Sequence, residues 1–181
     1  CGFSLATKIS FFPVMFIPLF ILNRLKYKGI FLLSTVITFL IFVSPAFSLA
    51  NTEEFIIWVK DLVTHSGKYG TGSENIVETS YYLENIKIIF TGNLIFSLTY
   101  IIILSLLILQ FIDKYKLNIR KENYFYLMTG IFTAMTVQVL IVAKHFSFYY
   151  MIPVFMFSIL GLYITNCIIR NVFPEFFKVK F

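Results

Sequence analysis

Residues 124–169 read YFYLMTGIFTAMTVQVLIVA, then KHFS, then FYYMIPVFMFSILGLYITNCII. Two apolar runs, 124–143 and 148–169, are separated by four residues, and neither run carries an acidic or basic side chain. A membrane-spanning helix takes about 20 predominantly apolar residues. Two such runs on either side of so short a link predict an antiparallel pair of spans, with 144–147 as the tight turn. Three more segments meet the same test: 1–22, 30–50 and 88–112. The sequence therefore predicts an all-α integral membrane protein, a single transmembrane domain over 1–181. It has five transmembrane helices and one long loop, 51–87. The other connections, 23–29 and 113–123, are short.

Composition agrees. Of 181 residues, 59% are hydrophobic, 19% aromatic and only 13% charged, against roughly 25% charged in soluble domains. Mean hydropathy is +0.85. The net charge of +6 does not predict a nucleic-acid partner, because the basic residues lie between apolar spans, where they set topology. Loop 23–29 has Arg24, Lys26 and Lys28; loop 113–123 has Lys114, Lys116, Arg120 and Lys121; the tail has Arg170, Lys178 and Lys180. These are ten of the 15 basic residues, on three connections that share one side if there are five spans. The other side holds Lys60, Lys68, Lys87 and Lys144 against Glu53, Glu54, Asp61, Glu74, Glu78 and Glu84, a net charge of −2. The positive side is cytoplasmic, so the N-terminal end is expected outside, the C-terminal end inside, and loop 51–87 extracytoplasmic. Starting at Cys1 within an apolar run, the chain reads as a piece of a longer protein. Cys1 and Cys167 predict buried small apolar side chains rather than a disulfide framework.

The long loop is patterned. Asn51 and Glu54 have the spacing of a helix N-cap and its third residue. Phe55, Trp58, Val59, Leu62 and Val63 then recur on one helical face, with Glu54, Lys60 and Asp61 off it. This predicts an amphipathic helix in the membrane interface. Ser73 can cap a second interfacial helix over roughly 74–86, with Glu74 favourable in its first turn. Between them lies VTHSGKYGTGSEN, 63–75. Gly67, Gly70 and Gly72 allow close backbone approach, and consecutive amides in such a turn can form an anion-binding nest beside Lys68. The nucleotide-binding P-loop is excluded: it needs Gly-Lys followed by Ser or Thr, and Lys68 is followed by Tyr69. The plain alternative is a linker between two helices.

Other residues with chemical potential are few. Lys8 stands about 10 Å along a helix from Cys1. A lysine at mid-bilayer costs about 2.5–3.5 kcal/mol, so it either snorkels to the outer interface or faces a polar cavity. Pro13 and Pro18 follow, and proline is tolerated in a span where neighbours satisfy the freed carbonyls. Lys144 and His145 end the fourth span on the same side as His65 and Lys68, with Tyr149 and Tyr150 following. They form either an interfacial belt or the second cationic edge of an outward-facing site. Two histidines in different loops give no metal-ligand spacing, and no cofactor is indicated. Asn93 and Gln138 are expected to hydrogen-bond between helices.

GFSLATKISFFPVMFIPLFIL (2–22) resembles the Ala/Leu-Thr-Lys segment and following proline of polytopic GT-C glycosyltransferases, among them protein O-mannosyltransferases and aminoarabinose transferases. VAKHFSFYYMIPVFMF (142–157) is similar to their late hairpin, and THSGKYGTG (64–72) resembles a loop of bacterial members. The resemblance corresponds to the middle and C-terminal part of such an enzyme. It implies transfer of a sugar from a polyprenyl-phosphate donor, at the outer face of a bacterial or archaeal cell membrane. It also implies that Lys8, His65, Lys68, Tyr69, Lys144 and His145 meet the lipid phosphate. The family's catalytic acidic residue lies in the first outer loop, which this segment does not contain, so Glu53, Glu54 and Asp61 do not inherit that role. A transporter or flippase for an anionic or lipid-linked solute is the rival expectation, and a non-catalytic membrane scaffold the third.

Overall fold

The computed structural model describes residues 1–7, 9–49, 52–64, 81–111, 124–144 and 151–172. Every regular element among them is helical: α1 (Gly2–Thr7), a 3-10 helix (Ile9–Met15), α2 (Phe16–Ile21), α3 (Leu25–Leu49), α4 (Thr52–Thr64), α5 (Tyr82–Gly92), α6 (Leu94–Phe111), α7 (Tyr124–Lys144) and α8 (Met151–Val172). The all-α expectation holds. Two helices, α3 over Leu25–Pro45 and α7 over Phe125–Lys144, are long and apolar enough to cross a membrane. The bent pair α5 and α6 makes a third if counted as one span. Apolar Val154–Arg170 of α8 and Phe11–Ile21 are shorter.

Segment 1–22 is not one continuous helix. Proline has no N–H, and its ring clashes with the carbonyl four residues back. Pro13 lies in the 3-10 stretch and Pro18 in α2, so the expected span is divided into α1, the 3-10 helix and α2. The halves serve different neighbours. α1 packs on α3, where Gly2 lies against Thr35 and Thr38 and the Phe3 and Phe42 rings meet edge to face, centroids 4.9 Å apart. The 3-10 helix and α2 pack on α7. A Cβ at Gly130 would stand 3.0 Å from Ile17 Cα, so only glycine lets these two backbones meet without a shift. α3 begins at Leu25, not residue 30. Its first turn takes in Lys26, Tyr27 and Lys28, with Arg24 stacked over Tyr27 at 6.0 Å.

The run 88–112 is also broken. α5 and α6 meet at Asn93 with a bend of 96°. The residue itself explains the break: Asn93 Oδ1 accepts the Phe96 N–H at 3.0 Å, capping α6. The Ser97 hydroxyl donates to the Phe90 carbonyl at the end of α5. The interhelical bond expected of Asn93 is thus a local one. Phe90 of α5, Phe96 and Tyr100 of α6 and Phe132 of α7 stack around the bend, with centroid separations between 4.8 and 6.1 Å.

α7 is the axis of the fold, touching the 3-10 helix, α2, α5, α6 and α8. Its Met128, Ile131, Ala134, Met135, Val139 and Val142 are buried, together with Ile89 of α5, Phe96 and Ile103 of α6, and Val154, Phe157 and Ile168 of α8. α6, α7 and α8 converge where a Cβ at Gly161 would stand 2.7 Å from Thr99 Cγ2 and 3.4 Å from Met135 Sδ. Small residues at such crossings let helices approach closely where lipid provides no hydrophobic drive. Of the two cysteines, both free, Cys1 is exposed and Cys167 partly so; neither takes the fully buried place expected of it.

Candidate functional site

The best-defined polar locus is the C-terminal end of α7, where the sequence places Lys144. The last four carbonyls of a helix have no partner within it. Here α5 supplies donors to the last turn. Asn85, a buried side chain, donates through Nδ2 to the Ala143 carbonyl at 3.1 Å. The Tyr82 hydroxyl donates to the Leu140 carbonyl at 3.1 Å. The donors are three residues apart on α5 and the acceptors three apart on α7, so one face of α5 is pinned along the end of α7. Lys144, half-buried, is the final residue of α7, a position where the helix dipole favours a cation.

Of the residues predicted to meet a lipid phosphate, Lys144 is the one the structure describes. Lys8, His65, Lys68, Tyr69 and His145 lie outside the described residues, as do Asn51 and most of the second expected interfacial helix, 74–80. The stretch expected to form the first interfacial helix is helical, as α4, with Glu53 and Glu54 exposed in its first turn. Phe55 on its expected apolar face is half-buried, but Ile56 and Ile57, off that face, are more than half exposed. The second helical stretch is α5, which runs from Tyr82 to Gly92 rather than ending near 86. Its Asn85 and Ile89 face the core.

A second polar locus was not assigned chemistry from sequence. Gln138, in the middle of α7, has none of its surface exposed, and both Nε2 and Oε1 lack a hydrogen-bond partner. The interhelical bond expected of it is not made among the described residues. Thr165 Oγ1 on α8 is likewise buried and unpartnered. Nearby hydroxyls have partners: the buried Ser158 donates to the Val154 carbonyl at 2.8 Å, and half-buried Tyr100 and Thr136 share a bond of 2.9 Å across α6 and α7. An isolated glutamine in an apolar run signals burial, but whether it finds a partner depends on the facing helices.

Among the described residues, no three His, Cys, Asp or Glu side chains come together as metal ligands. What this locus offers is hydrogen bonding from α5 and a cation, Lys144, at the end of α7. Comparison with protein-family profiles, curated proteins and solved structures gives no match.

Proposed function

We propose that this chain belongs to a membrane glycosyltransferase that takes a sugar from a polyprenyl-phosphate donor on the extracytoplasmic face. In this reading the five crossings are the α1–α2 segment, α3, α5 with α6, α7 and α8. α4 and the N-terminal turns of α5 lie in the outer interface. The observation that carries the reading is the charge distribution along an apolar helical chain. Ten of the 15 cations fall on three connections, while the opposite side is net acidic and yet sets Lys68 and Lys144 beside glycine, hydroxyl and aromatic residues. The basic first turn of α3 supports the same orientation. Lys26 and Lys28 oppose the helix dipole there, so their place is better explained by membrane topology than by helix stability. A sugar leaving a lipid phosphate builds negative charge on that phosphate, and fixed cations in a low-dielectric site stabilise it.

One observation favours a second reading, a transporter or flippase for an anionic or lipid-linked solute. Interrupted helices line the substrate path in such proteins, and two segments here are broken, at Pro13–Pro18 and at Asn93. Binding and turnover separate the readings. Lys68→Ala and Lys144→Ala, each in the full-length protein in lipid nanodiscs, are expected to weaken binding of polyprenyl phosphate by about tenfold, the worth of one charge-assisted contact. Unchanged affinity in both variants would remove these lysines from the site. Release of free polyprenyl phosphate from a glycosylated donor supports the transferase; movement of the intact donor across proteoliposomes without its cleavage supports the transporter.

A further inference from the structure

Gln138 combines complete burial with an amide that has no partner on either atom among the described residues. Leaving a buried polar group unpartnered is costly, and in a helical core such groups are met by another side chain or by bound water. Helix register shows what surrounds it. Thr99, Met135 and Gly161 share one level of the α6–α7–α8 core. One turn further along α7 is Gln138. Because α8 is the returning arm of the hairpin with α7, one turn back along it is Ser158, fully buried; Phe96, one turn back along α6, is fully buried too. Ser158 has committed its proton to the Val154 carbonyl, so its oxygen remains an acceptor. Phe96 offers no side-chain hydrogen bond. Thr165, buried and unpartnered among the described residues, lies one turn beyond Gly161 on α8, away from Ser158.

We propose that Gln138 anchors an internal hydration site between α7 and α8, in which water bridges its amide to the Ser158 hydroxyl. The ligand must accept from Nε2 and donate to Oε1, and with the glutamine fully enclosed it must be small; water meets both conditions. The amide then fixes the rotation of α7 against α8, since turning either helix withdraws one partner from the water. The site lies less than two turns from the end of α7 held by Tyr82 and Asn85, within reach of the polar end of the bundle.

The chain has two glutamines, Gln110 and Gln138, so selective ¹⁵N labelling gives two side-chain amide signals, and Gln110→Leu identifies the one that belongs to Gln138. In the full chain in nanodiscs, the Gln138 amide protons are expected to show direct magnetisation transfer from water and to be replaced within minutes in D₂O. Absence of transfer, with amide protons that persist for hours, would overturn the proposal. Gln138→Leu provides a second reading. If water satisfies the amide, the unfolding midpoint stays unchanged or falls. If the amide is orphaned, removing it raises the midpoint by about 3 °C or more, and that outcome sinks the idea.

Discussion

α3 and α7 have the same mean hydropathy, 1.8, over their span-length windows, yet 6% of the α3 window is buried within the protein and 44% of the α7 window. Hydropathy measures which solvent a helix prefers; it does not say whether lipid or protein meets it. The difference lies in small and polar residues. α7 carries Gly130 and Ala134 at close crossings and Thr136 bonded to Tyr100 across the helix pair. α3 turns bulky side chains outward, among them Leu33, Ile41 and Phe42. Two of its hydroxyls are spent within the helix, Thr38 on the Ser34 carbonyl and Ser44 on the Ile41 carbonyl. Its close contact with Gly2 involves Thr35, again a smaller residue. One helix is built for neighbours, the other for a fluid solvent.

Substitutions can break or sharpen this contrast. The largest effect is expected from matched truncations. Phe157→Ala, at the wall α8 presents to α7, should cost about 3–5 kcal/mol. Ile41→Ala on the outer face of α3 should cost less than about 0.5 kcal/mol. Reversible unfolding in mixed micelles measures both, and equal costs would mean that α3 is buried against something in its native setting. A smaller effect is expected at the glycines. Gly130→Ala must move the α2 backbone at Ile17 and should cost about 1–3 kcal/mol. Gly29→Ala, with nothing within 4 Å of the added methyl, should be neutral or gain up to about 1 kcal/mol from helix propensity. The smallest is Asn93→Ala, which removes the α6 cap at a cost of about 1 kcal/mol. Circular dichroism should then show little loss of helix. A loss of most of the α5 signal would mean that the cap holds the bend rather than the aromatic stack around it.

Helical class was legible because uncharged apolar runs of span length have few alternatives. The breaks were harder to read. Averages over a run such as 88–112 dilute a single Asn93, and the cap that diverts the chain depends on one side-chain oxygen. Pro13 and Pro18 were visible, but proline also occurs in unbroken spans; that they divide this one goes with the separate partners of α1 and α2, which no local pattern records. The centrality of α7 was not legible, since nothing local to 124–143 records how many helices it meets. Lys144 was found from its place at the end of a span. Asn85 escaped because its role is to satisfy a carbonyl 58 residues away. Gln138 was noticed, but its significance comes from what faces it.

The divided N-terminal segment has a mechanical consequence. Its α1 end is seated on α3, the more exposed of the two span-length helices, and its α2 end on α7, the more enclosed. A long apolar helix answers a change in bilayer thickness by tilting. A displacement of α3 relative to α7 would have to be taken up between the seat of α1 at Gly2 and the seat of α2 at Gly130, where the backbones have no slack.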